Sequence, residues 1–143
     1  MKTIVMNTSN GAVTEHELPF QSLSAKYGAG DDGLFSLGGS LDGAIQIAAT
    51  VTTPRKLWAK TTKTLLSDAY LAMTGEGHGV FTVGAKAVQW PYQFDVLPAG
   101  VSRVPLGRGI KENYLSFTYR NVAGADFTID RIEVRTYDAQ RRI

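Results

Sequence analysis

The chain has 143 residues, of which 43% are hydrophobic and 20% charged, so it can bury an ordinary core and is too apolar for a disordered segment. It contains no cysteine, which excludes disulfides and cysteine-bound zinc or iron–sulfur centres. The formal charge of +2 is uneven: residues 1–52 carry two bases against five acids, net −3, and residues 53–143 carry 13 bases against eight acids, net +5.

Glycines and short polar clusters interrupt the chain every few residues, as expected of an all-β protein with tight turns. Near the start, Ile4, Val5 and Met6 form an apolar run far too short for a signal-peptide core. No later run approaches a membrane span, and assembly in a cytoplasm is expected. The stretch GAGDDG at 28–33 reads as a solvated turn. In IQIAATV at 45–51, Ile45, Ile47, Ala49 and Val51 alternate, which predicts a half-buried strand.

The segment 57–75 is ambiguous. Leu66, Tyr70 and Met73 fit a helical stripe with Lys60, Lys63 and Asp68 on the wet side, whereas Ala69–Met73 also alternates as a strand. Periodicity leaves both open. Further on, GVFTV at 79–83 and VQWPYQFDV at 88–96 flank the short turn GAKA. Trp90, Tyr92, Phe94 and Val96 share one face of the second run. Pro91 lies on the other face and lacks an N–H, so the spacing predicts an edge strand or a bulge there.

Leu115, Phe117 and Tyr119 alternate with Ser116, Thr118 and Arg120, and NVAGAD at 121–126 supplies turn chemistry before FTIDRIEVRTY. These features predict a β-hairpin, with Gly107 and Gly109 freeing the backbone at its lead-in and Asn121, Gly124 and Asp126 shaping its turn. Phe127 and Ile129 are out of phase with Ile132 and Val134. One extra residue near Asp130–Arg131, a β-bulge, would restore a single apolar face. The expected core therefore includes Leu115, Phe117, Tyr119, Phe127, Ile132 and Val134.

Little in the chain points to catalysis. GRG at 107–109 precedes a strand rather than a helix, so it reads as a turn and not as a phosphate loop. GAGDDG, with Asp42 downstream, lacks the alternating oxygen ligands and closing glutamate of a calcium loop. His16 stands between Glu15 and Glu17, and His78 within GEGHG; neither has a partner at metal-ligand spacing, so no metal is expected. No nucleophile elbow, H-E-x-x-H or Walker sequence occurs. Asp126 and Asp130 read as turn caps, and no catalytic residue or cofactor is expected. Trp90, Tyr92, Tyr114 and Tyr119 could stack sugars or bases, but alternating aromatics in strands more often form core.

The order TT…LLSDAYLAMTG…GVFTV…VPLGRGIKENYLSFTYRNVAGADFTIDRIEV resembles a β-rich module of tailed-bacteriophage virion proteins, in tail-hub and accessory components. The matching positions are Gly107 to Gly109, Tyr114 to Tyr119, Asn121, Gly124, Asp126, Phe127 and Asp130 to Val134. NGAVTEHELPFQSLSAKYGAGDDGLFSLGG resembles the strand-turn unit preceding that module, through Asp32-Gly33-Leu34-Phe35 with Leu37 and Gly38. Together the two cover nearly the whole chain. PRKLWAKTTK departs from the pattern, where a turn containing glycine and phenylalanine is usual. The resemblance implies that residues 66–74 form a strand, and it transfers no active site.

The expected fold is a single all-β domain, an antiparallel β-sandwich-like module at 53–143 with an N-terminal strand-turn segment at 1–52. The expected function is that of a structural subunit in the tail tip, hub or baseplate of a tailed-phage particle. Its expected partners are other tail proteins and copies of itself within a symmetric assembly, with no membrane segment and no nucleic acid. The scattered bases weigh against nucleic acid, and the charge split suits complementary subunit surfaces. The alternative is a host-surface glycan-binding module, and a small glycan hydrolase is a third, weaker reading.

Overall fold

A computed structural model describes residues 3–6, 8–9, 11, 13–16, 20–39, 41–42, 44–57, 63–107 and 109–138, and these are all in strands, turns or irregular segments. The chain divides into two compact units, Met1–Gly39 and Ser40–Ile143. The expected boundary at 52/53 separates residues 40–52 from the second unit, and the structure joins them to it.

In the first unit, β1 (Thr3–Met6) pairs antiparallel with β2 (Val13–His16). A three-stranded meander follows, made of β3 (Ser22–Leu23), β4 (Tyr27–Gly30) and β5 (Gly33–Ser36). Asp31 and Asp32 form the two-residue turn between β4 and β5, and Asp31 accepts a hydrogen bond from the Gln21 amide. This is the solvated turn expected of GAGDDG. Phe20 and Phe35 meet edge to face across Gly28, where a Cβ would stand 2.6 Å from the Phe20 ring.

The second unit opens with the short pair β6 (Leu41–Asp42) and β7 (Ile45–Gln46). Next come β8 (Thr50–Thr52), β9 (Lys56–Leu57), β10 (Thr64–Gly75), β11 (His78–Gly84) and β12 (Gln89–Asp95). They are followed by β13 (Val101–Pro105), β14 (Lys111–Glu112), β15 (Tyr114–Asn121) and β16 (Phe127–Asp138).

Two antiparallel sheets share one core. In the first, β10 lies between β16 on one side and β13 with β14 on the other. In the second, the order is β12, β11, β15, and then β8 and β9 side by side along β15. Leu66, Ala69, Leu71 and Met73 of β10 and Val104 of β13 face Phe81, Val83, Phe94, Leu115, Phe117 and Tyr119 of the other sheet. This is a β-sandwich, in which alternate side chains of each inner face interdigitate. The segment 66–74 is strand, as the resemblance implies. A strand suits it because the sandwich interior takes every second residue, and a helix would leave half of that apolar set uncovered.

The bulge expected at Asp130–Arg131 is present. Ala72 pairs with Arg131 and Met73 with Ile129, so Asp130 is the unpaired extra residue. Phe127, Ile129, Ile132 and Val134 then all pack, half-buried, against the core. β12 is an edge strand, with Pro91 opposite Thr82 and exposed, as its missing N–H requires.

Three expectations are corrected. β15 and β16 do not form a hairpin: β15 pairs with β11, β8 and β9, and β16 pairs with β10 in the other sheet. The turn at 121–126 is therefore a crossover between sheets. Residues 45–51 are not one strand, because β7 ends at Gln46 and β8 begins at Thr50. Ile45, Ile47 and Val51 are exposed. At the lead-in, Gly109 has φ 124°, which only glycine adopts easily, but Gly107 has no such requirement. Arg108 and residues 58–62 of the divergent PRKLWAKTTK stretch lie outside the described residues.

Candidate functional site

The crossover between the sheets rests on Asn121, the last residue of β15 and almost fully buried. Its Oδ1 accepts from the Ala49 N–H at 2.8 Å, and its Nδ2 donates to the carbonyls of Ile47 at 3.0 Å and Ala125 at 3.1 Å. One side chain thus satisfies three backbone groups, two of them more than 70 residues away in sequence. The backbone N–H of Asn121 also donates to Ala49 O, so this segment is held by one residue rather than by a strand ladder. Asn121 was expected only to shape a turn; here it locks the connection of two distant segments.

The turn itself, Val122–Ala125, closes with Ala125 N–H donating to Val122 O at 3.2 Å. Both central residues are left-handed, Ala123 at φ 53° and Gly124 at φ 67°, the mirror-image type I′ turn. Gly124 is required twice over, because a Cβ there would also lie 2.7 Å from Gln46 Cβ. Asp126 is exposed at the end of the turn.

Beside this turn lies an open cleft of about 420 Å³, lined by Glu76, Gly77, His78, Val122–Ala125 and Asp126. His78 and Asp95 are opposite one another on β11 and β12, and His78 Nδ1 lies 2.7 Å from Asp95 Oδ1. An N–H at Nδ1 donates to the carboxylate at that distance. Both side chains are exposed, 56% and 83%, so the pair is well screened by water. It orients an imidazole at the mouth of the cleft. The described lining contains no serine, threonine or cysteine beside this imidazole, and its other ionisable side chains are the carboxylates of Glu76 and Asp126. Among the described residues no group of three or more His, Cys, Asp or Glu side chains is placed to hold a metal ion.

Sequence reasoning gave His78 no partner. The signal was available in the hairpin: Ala85 N–H donates to Val88 O at 2.8 Å, and counting outward from that turn sets 78 opposite 95. His16 lies on β2, but its side chain is outside the described residues.

Of the four aromatics weighed as a stacking platform, Tyr119 is fully buried, and Trp90 and Tyr92 pack half-buried against the core. Tyr114 is exposed. Leu115 and Phe117 are buried, and Phe117 stacks on Phe81 with ring centroids 5.9 Å apart.

The outer face of the first sheet carries a two-bonded ion pair. Arg103 Nε and Nη2 both donate to Asp68 Oδ1, at 2.9 and 2.8 Å. That hydrogen bonding holds the Asp68 carboxyl below its ordinary value and raises the Arg103 guanidinium. Arg135 lies over the Tyr70 ring at 5.3 Å, and Arg131 pairs with Glu133 at 2.9 Å. Among the described residues no helix is long and apolar enough to cross a membrane.

Comparison with family models, curated proteins and solved structures finds no match to this chain.

Proposed function

We propose that this chain is a structural subunit of a tailed-phage particle, placed in the tail tip, hub or baseplate region and working through protein–protein contacts rather than catalysis. The observation that carries the reading is the state of the N-terminal unit. Among the described residues, every fully buried hydrophobic side chain belongs to Ser40–Ile143. The Met1–Gly39 unit exposes Ile4, Met6, Val13, Leu23, Tyr27 and Leu34, with Ile4 at 70% and Leu34 at 72%; Ser40–Ile143 also exposes apolar side chains, Ile45 among them, but has a buried core beneath them.

A unit of about 40 residues rarely supports itself without a disulfide, a metal or a partner. This one has no cysteine. Exposed apolar residues on such a unit suit burial against a neighbouring subunit. Charge supports the same arrangement, since residues 1–39 carry a net −2 and residues 40–143 a net +4. An acidic N-terminal unit on one subunit complements the basic unit of the next, and head-to-tail contacts of that kind close into rings. The sequence resemblance to phage tail modules points to a particle in which such rings occur.

Sedimentation velocity on the full chain across a salt series tests the contact. Association should weaken with salt without vanishing, because apolar burial persists while screening removes the electrostatic part. Association indifferent to salt would remove charge complementarity from the account.

A further inference from the structure

β16 is paired along one side only. Its partner is β10, and no other described strand runs against it. A free edge presents unpaired backbone N–H and C=O groups, ready to template another strand. Beyond the bulge at Asp130, every residue of β16 from Arg131 to Asp138 is paired with β10; a second register shift opposite Arg135 and Thr136 is taken up by an extra residue of β10, Ser67, so β16 itself carries no extra residue along this part of the edge. Arg131, Glu133, Arg135 and Tyr137 are exposed on its outer face, while Ile132 and Val134 turn half-buried toward the core.

Charges on an edge strand ordinarily guard against pairing. Here their order has the opposite effect for one partner, because R-I-E-V-R-T-Y is complementary to itself when run antiparallel. With Val134 opposite Val134, each Glu133 faces Arg135 of the second copy, each Arg131 faces Tyr137, and each Ile132 faces Thr136. Opposite charges and cation–aromatic pairs directly across an antiparallel ladder are favourable. The registers two residues away in one direction set Glu133 against Glu133 and Arg131 against Arg135, and in the other Arg135 against Arg135. Centring on Ile132 restores opposite charges but draws the Asp130 bulge into the ladder. Inner and outer faces must match across the seam, which excludes odd registers.

We propose that the free edge of β16 pairs antiparallel with the same edge of a second copy of this chain, about a two-fold axis at Val134. The contact is isologous, and it joins the two β10-centred sheets into one continuous sheet. A strand pair of this length is a small interface, so the dimer forms in a concentration-dependent way. This contact differs from the charge-split contact and does not depend on the particle reading.

Sedimentation velocity over a concentration series, with melting checked for each variant, tests it. Glu133→Arg and Arg135→Glu should each weaken dimerisation at least tenfold, and the double exchange should restore it. A second test uses the cysteine-free background. Antiparallel partners lie about 4.5–5.5 Å apart at Cα, within reach of a disulfide. Mixing Arg131→Cys with Tyr137→Cys protein under mild oxidation should give a covalent heterodimer, and neither protein alone should cross-link. Dimerisation unchanged by either single exchange, a monomer at every concentration, or no cross-link in the mixture would overturn the proposal. Any of these outcomes leaves incorporation into particles untouched as a separate question.

Discussion

The ring of Tyr119 lies against the backbone of Gly79 on the neighbouring strand, so closely that a Cβ at Gly79 would stand 2.5 Å from the Tyr119 ring carbon Cε2. Tyr119 is 1% exposed and also meets Phe127 and Phe94 edge to face, at 4.6 and 6.1 Å between ring centres. Phe127 comes from the opposite sheet, so this ring cluster pins the two layers together. Burial alone pushes the Tyr119 phenol above its ordinary pKa.

Gly79→Ala should therefore destabilise the protein by about 1–3 kcal/mol, the usual cost of forcing an extra carbon into a packed core. Urea denaturation measures it. Combining Gly79→Ala with Tyr119→Ala should cost less than the two added together, because removing the ring removes the clash. Strict additivity would show that the contact is not the cause.

Phe117→Ala should cost about 3–5 kcal/mol, since it leaves a cavity against the buried Phe81 ring. An unchanged melting temperature would show that this face of β15 is not buried.

At the crossover, neighbouring substitutions should have opposite signs. Ala123→Gly relieves a left-handed non-glycine residue and should be neutral or stabilising by up to about 1 kcal/mol. Gly124→Ala meets both a left-handed backbone and Gln46, and should destabilise clearly. Asn121→Ala leaves the Ala49 N–H and two carbonyls without their partner, at a cost of about 2–4 kcal/mol. Thermal melts of the three variants give the ordering directly.

These residues also show what was legible in the sequence. The bulge at Asp130 could be read because apolar residues on either side of it fall out of phase, and a phase error has one local remedy. The pairing of β15 could not be read in the same way. NVAGAD reports a reversal of the chain, and a reversal looks alike whether the strands pair or cross between sheets. Residues 45–51 alternate as a strand should, yet the backbone of Ala49 is claimed by Asn121, a competitor that local periodicity does not reveal. The His78–Asp95 pair follows from hairpin register rather than from any motif spacing.

Acid should weaken the fold through Asp68. Its folded-state pKa is depressed by the hydrogen bonds from Arg103, so the contribution is present above the ordinary carboxylate value of 3.8 and is lost as pH falls through the lower folded value. Denaturation midpoints should drop below about pH 4, and Asp68→Asn should be less stable at neutral pH but flatter across that range. A wild-type acid profile in Asp68→Asn would assign the loss to other carboxylates.

The most direct measurement for the proposed assembly role is quantitative mass spectrometry of tailed particles purified from the source of this chain, with its copy number referred to their tail proteins. The account predicts a fixed copy number that matches the rotational symmetry of the tail and withstands repeated purification. Particles that are complete and infectious without the chain, or that carry it in variable trace amounts, would contradict it.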